Sequence, residues 1–194
     1  MHGLPLTPEV LVAAYANAIF PMDVDGVVRW FSPDPRAIIE LDAFHVPKSL
    51  AQRYRSGRFE VRIDTAFDEI IRSCADRPEG TWISEPIVAA YTELHRRGVA
   101  HSVESWYEGT LAGGLYGVAL GGAFFGESMF HRRTDASKVA LVALVERLRA
   151  RGYRLLDVQF LTPYLARFGA VEIARDDYLD RLQAALAVDA RFVD

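Results

Sequence analysis

The chain has 194 residues, 51% of them hydrophobic, a formal net charge of −4 and a single cysteine, Cys74. That length supports one large or two small domains with a sizeable core, no stretch approaches a membrane span, and a lone cysteine excludes an internal disulfide. The acidic balance argues against coating nucleic acid by bulk electrostatics, but basic residues crowd at 53, 55, 58 and 62, at 132, 133 and 138, and at 147, 149, 151 and 154, where local patches could hold a phosphate backbone.

The start MHGLPLTPEV has no basic flank followed by an apolar run, so no signal peptide is expected and a reducing cytoplasm is the predicted compartment. Thr7-Pro8-Glu9 is a helix start, and Val10, Leu11, Ala14 and Ile19 follow at roughly helical spacing before Phe20-Pro21 ends the run. Strands are predicted over 27–31 and 37–41, around the turn Ser32-Pro33-Asp34-Pro35. A helix over 47–54 and an alternating strand over 59–63 come next, and Asp64 or Thr65 can cap a helix running to Ala75. The break Arg77-Pro78-Glu79-Gly80 lies at the end of the boundary zone, and the division drawn is residues 1–62 and residues 63–194.

Ser84-Glu85-Pro86 starts a helix carrying Ile87, Val88, Tyr91 and Leu94 on one face and stopping at Gly98. A strand over 100–107 leads into two more, over 111–120 and 123–130, joined by Gly121-Gly122 as a hairpin link. The chain finishes with a helix over 136–150, strands over 154–158 and 170–173, and an amphipathic helix over 178–186. Within the hairpin, glycines 113, 114, 117 and 126 cost strand stability unless a backbone, bulge or ligand comes close, which points to a ligand cleft beside the lone carboxylate, Glu127. The alternative, which composition favours, is a buried hairpin whose charge is met by a neighbouring arginine.

Four motifs decide between these: Trp30-Phe31-Ser32-Pro33-Asp34-Pro35-Arg36, Gly80-Thr81-Trp82-Ile83, Gly126-Glu127-Ser128-Met129-Phe130 and Asp157-Val158-Gln159. In this order and spacing, the chain resembles the leucyl/phenylalanyl-tRNA-protein transferase family from about Leu6 to about Leu186. The resemblance implies an α+β fold, a small N-terminal α/β domain followed by an N-acetyltransferase-like (GNAT-like) mixed-sheet domain. It also implies an enzyme that moves leucine, and also phenylalanine or methionine, from aminoacyl-tRNA to the α-amine of proteins beginning with lysine or arginine, marking them for degradation.

By the same match, Glu127, Asp157 and Gln159 form the acceptor site, with Gln159 orienting the amine and polarised by Asp157. Leu115, Phe124, Met129 and Leu144 are the expected apolar pocket for the donor side chain, and Ser128 joins the substrate-binding residues. Trp82 is expected to stack on adenosine. Met22 stands where better-known members carry a tryptophan for the terminal adenine, and Ala18 replaces a usual glycine. The arginines at 132, 133, 147, 149 and 151 are expected to clamp the tRNA acceptor end through phosphates.

A monomer without cofactor or metal is expected: His45, His95, His101 and His131 show no i, i+4 pairing and no cysteine partners. Three rivals remain open. A coenzyme A-dependent acyltransferase needs glycines that Arg133-Thr134-Asp135-Ala136-Ser137-Lys138 lacks, and a Ser128, His101, Asp157 hydrolase lacks the closing glycine of a nucleophile elbow. A non-catalytic tRNA-binding module is the third.

Overall fold

The computed structural model describes residues 4–194, so the reading of residues 1–3 as a domain start without a signal peptide lies outside the described residues. The Thr7 hydroxyl accepts the Val10 amide at 3.3 Å and opens helix α1 (Pro8–Ala16). The chain then turns through Ala18 in the left-handed region, φ 63°. The segment read only as a helix end is a strand, β1 (Phe20–Val24), paired antiparallel with β2 (Val27–Phe31) in a separate ribbon. Pro21 is tolerated there, opposite Trp30, because both strands of a two-stranded ribbon are edges.

Six further helices follow: α2 (Lys48–Arg55), α3 (Phe67–Ala75), α4 (Glu85–Arg96), α5 (Ala136–Ala150), α6 (Pro163–Ala166), which was not foreseen, and α7 (Arg175–Leu186). Neither Asp64 nor Thr65 caps α3 with its side chain. The buried Glu104 carboxylate instead accepts the Thr65 and Ala66 amides at 2.8 and 2.7 Å, while Asp64 bonds His101 and the Ser102 amide.

The strands β3 (Arg36–Ile39), β4 (Glu60–Ile63), β5 (Ala100–Tyr107), β6 (Thr110–Leu120), β7 (Ala123–His131), β8 (Leu155–Gln159) and β9 (Ala170–Ile173) make one sheet in the order β4-β5-β6-β7-β8-β3-β9. All neighbours are antiparallel except β7 and β8, which the α5 crossover makes parallel. This is the expected α+β arrangement of three antiparallel strands, a helix and a further strand. Helices α1, α3, α4 and α7 cover one face over a core including Tyr15, Ile70, Tyr91 and Phe125; α2 and α5 cover the other over Leu50, Phe124, Leu144 and Leu156. The division between residues 62 and 63 falls inside β4, and β3 lies between β8 and β9, so the sheet takes strands from both sides of it.

Three of the four hairpin glycines serve packing. A Cβ at Gly113 would stand 2.8 Å from Ala136 of α5, one at Gly114 would collide with Ile70 of α3, and one at Gly117 with Phe124 and the Phe125 carbonyl. Only at Gly126 are the contacts ordinary, the nearest at 3.6 Å.

Candidate active site

Parallel pairing of β7 and β8 extends only to Phe125 opposite Asp157. Two register shifts sit just beyond it. Tyr116 pairs with Ser128 and Gly117 with Gly126, leaving Glu127 as the extra residue of a bulge, and Val158 is likewise skipped where β8 pairs with β3. Bulges turn side chains out of the regular alternation. A cleft of about 630 Å³ borders both strands.

Of the residues expected in the site, Met22, Trp82, Leu115, Glu127, Ser128, Met129, Leu144 and Gln159 line this cleft. Leu115 and Leu144, with Leu141 and Leu156, belong to the core on the α5 side and make one wall apolar. Phe20, Met22, Trp82 and Tyr116 belong to the opposite core. Phe124, expected in the donor pocket, is not in the wall: it is fully buried beneath Gly117 and stacked on Phe192 at 5.1 Å between centroids.

Asp157 is buried behind the cleft rather than in it. Arg36 donates to its carboxylate from Nε at 3.0 and 3.2 Å and from Nη2 at 2.6 Å, Tyr178 donates at 2.6 Å, and the Gln159 backbone N–H at 2.8 Å. The remaining Arg36 contact runs from Nη1 to the Ala18 carbonyl at 3.0 Å, and its guanidinium lies 4.9 and 4.8 Å from the Phe20 and Tyr178 ring centroids. Asp157 therefore does not polarise the Gln159 side chain. It holds the Gln159 backbone, which adopts φ 58°, and leaves the amide group to face Glu127, to which Nε2 donates at 3.3 Å.

Among the described residues, no arginine bonds the Glu127 carboxyl. Tyr15 donates to the same oxygen at 2.7 Å, and the Tyr15 hydroxyl is in turn in short contact with that of Tyr91. The residue is half-buried, yet its carboxyl is so enclosed by protein that burial pushes its pKa up to about 8, against the lowering effect of the Tyr15 hydrogen bond. Burial also drives the Tyr15 and Tyr91 hydroxyls well above the ordinary tyrosine value, so both are neutral.

The sequence assigned no role to Tyr15, Arg36, Arg77 or Tyr178. Arg36 lies within a motif, but the partners of Tyr15 and Arg36 are 112 and 121 residues away. Arg77 lines the cleft and donates to Ser128 Oγ at 3.1 Å and to the Met129 carbonyl at 2.9 Å. The residues of the hydrolase reading are each engaged elsewhere: His101 with Asp64, Asp157 with Arg36 and Ser128 with Arg77.

The expected arginine clamp divides. Arg147, Arg149 and Arg151 sit at the C-terminal end of α5 or just past it and tie down other parts of the chain: Phe192 carbonyl at 2.7 Å, Leu41 carbonyl at 2.8 Å and Asp194 at 2.8 Å. Arg132 and Arg133 lie beyond the other end of that helix.

A proton-holding carboxyl beside an apolar pocket, with an amide to orient an incoming group, suits the class of acyl-group transferases. The family profile described as leucyl/phenylalanyl-tRNA protein transferase matches residues 38–183, and that of its N-terminal domain residues 5–34. The leucyl/phenylalanyl-tRNA–protein transferase of Rubrobacter xylanophilus is 61% identical over 96% of this chain and 98% of its own, and that of Herpetosiphon aurantiacus 56% identical over the same shares. The chain belongs to the leucyl/phenylalanyl-tRNA–protein transferase family. Among solved structures, the C-terminal domain of a putative lysylphosphatidylglycerol synthetase from Agrobacterium fabrum covers 94% of this chain and 71% of its own at 12% identity and TM-score 0.46, too distant to inform function.

Proposed function

We propose that this enzyme transfers leucine or phenylalanine from the 3′ end of aminoacyl-tRNA to the α-amine of proteins beginning with lysine or arginine, acting as a monomer in the cytoplasm and marking those proteins for degradation. The observation that carries this reading is the meeting of Glu127 and Gln159 at 3.3 Å where β7 and β8 diverge, beside the apolar wall of Leu115, Met129 and Leu144. The donor ester is already activated, so the chemistry calls for orientation and proton transfer and no cofactor.

An acceptor α-amine titrates near ~8, close to the value to which burial raises Glu127. The carboxyl and the amine thus compete evenly for one proton. Glu127 takes that proton and frees the amine to attack the ester carbonyl, passes it to the leaving ribose oxygen as the C–O bond breaks, and then accepts the second proton that the nitrogen loses as the amide forms. The Gln159 carbonyl oxygen, its amide nitrogen held by Glu127, accepts from the amine and orients it; an amide is too weakly basic to act as the base itself. Trp82, half-buried in the cleft wall, offers a ring for the terminal adenosine, and Met22 covers the same side with a polarisable but non-planar side chain. Transfer of label from leucyl-tRNA to a peptide beginning with arginine, and not to its alanine-initiated twin, tests donor and acceptor together; equal labelling of both would remove the cationic acceptor from the proposal.

A further inference from the structure

A cationic first residue on the acceptor calls for a fixed negative charge within reach of its α-amine. Among the described residues, two acidic side chains line the cleft, Glu79 and Glu127. Glu127 is occupied. Its Oε1 accepts from both Tyr15 and Gln159, and burial raises its pKa to about 8, so the proton it shares with the amine leaves it no fixed charge for a second cation. Asp157 is closed off behind the wall by Arg36 and Tyr178.

Glu79 differs from both. It stands in the turn between α3 and α4, where the Gly80 amide donates to the Arg77 carbonyl at 3.1 Å and Gly80 adopts φ 95°. Its side chain is 71% exposed, and among the described residues it meets one cation, Arg77, whose Nη1 lies 4.0 Å away, beyond hydrogen-bonding distance. Arg77 also marks where this carboxylate stands. Its Nε donates to the Cys74 carbonyl at 3.0 Å and its Nη2 to Ser128 Oγ and the Met129 carbonyl, so one guanidinium spans from the residue after Glu127 to Glu79. An acceptor lysine or arginine, its amine held at Glu127 and Gln159, has a stem long enough to bridge the same gap.

We infer that Glu79 selects the cationic acceptor: its carboxylate receives the ammonium or guanidinium of the protein's first residue, while Glu127 and Gln159 hold the α-amine. The inference rests on the proposed reaction and adds the residue on which its choice of acceptor depends. A carboxylate accepts along about four lone-pair directions, and Arg77 uses none of those of Glu79. Because the contact lies at the exposed rim and away from the bonds that change, it acts alike on bound substrate and transition state and shows as KM rather than turnover.

The test uses three peptides alike except for the first residue: arginine, citrulline, which has arginine's shape without its charge, and alanine. The parent should label the arginine peptide with kcat/KM roughly 3- to 10-fold above the citrulline peptide. In Glu79→Gln the arginine value should fall to the citrulline level through KM, with the KM for leucyl-tRNA unchanged. An arginine-to-citrulline ratio as large in the variant as in the parent overturns the inference, as does a parent that treats these two peptides alike while rejecting alanine. An equal fall for arginine and citrulline also overturns it, since Glu79 would then be supporting the loop that carries Trp82. If the parent labels all three peptides equally, or none, the proposed reaction itself fails and this inference with it, a result separable from the others.

Discussion

Replacing Glu127 with glutamine should make the protein more resistant to unfolding at alkaline pH while abolishing its chemistry. Burial raises this carboxyl from an ordinary value near 4.5 to about 8. Below the lower value it is neutral in folded and unfolded chains alike, and the full stability is present. Between the two, the unfolded chain releases the proton and the folded chain keeps it, so stability falls as pH rises and the loss is complete above about 8. At about 1.4 kcal/mol per pH unit the loss amounts to roughly 3–5 kcal/mol, the lower figure applying if water in the cleft reaches the carboxyl. Glutamine keeps the acceptor oxygen for Tyr15 and cannot ionise, so urea midpoints of the variant and the parent should agree below the ordinary carboxyl value and separate by about 1–2 M above the raised one. Transfer should fall by roughly 10²-fold or more, the usual cost of losing a general base. Parallel midpoint curves across this range would show that the carboxyl titrates normally and remove the proton-matching argument.

Asp157→Ala leaves Arg36 buried without its counter-ion and should lower unfolding stability by about 3–5 kcal/mol; Arg36→Met combined with Asp157→Leu should recover much of it in a double-mutant cycle. Gln159→Ala should cut turnover at least 10-fold with donor affinity unchanged in a filter-binding assay, because it removes the orienting amide and not the tRNA contacts. Gly114→Ala should cost roughly 1–3 kcal/mol by pressing on Ile70 and the Val103 carbonyl, whereas Gly126→Ala, whose Cβ would meet only ordinary contacts, should leave the thermal midpoint near that of the parent. Ala18→Gly relieves a left-handed φ of 63° and should raise stability by about 0.5–1 kcal/mol, read as a higher urea midpoint.

The hairpin and the helix that stops at Gly98 were legible because their signals are local: apolar runs joined by a two-glycine link, and apolar positions on one face between Ser84-Glu85-Pro86 and a glycine. The strand over 20–24 was not, since Phe20-Pro21 reads as an interruption until its partner ribbon is known. Glycines 113, 114 and 117 announced a close approach correctly in kind, but what approaches is helix α3, helix α5 and the Phe124 ring; a sequence cannot say which face a missing Cβ opens. The bulge at Glu127 is invisible for a related reason. It depends on how β7 is registered against β6, and nothing within Gly126-Glu127-Ser128 records that one residue is skipped. Arg36 and Asp157 each stood in a recognised motif, yet their pairing spans 121 residues and makes Asp157 a support for Gln159 rather than a partner of its amide.

The Ala18 carbonyl accepts from Arg36, and Arg36 grips the carboxylate that fixes Gln159. Only Ile19 separates Ala18 from the β1 ribbon that carries Met22 into the cleft. The cleft wall at Met22 and the support of the Gln159 backbone thereby share one short stretch of chain. A substitution in residues 18–22 is therefore expected to disturb the cleft wall and the mount of Gln159 together, because both hang on the same five residues of backbone.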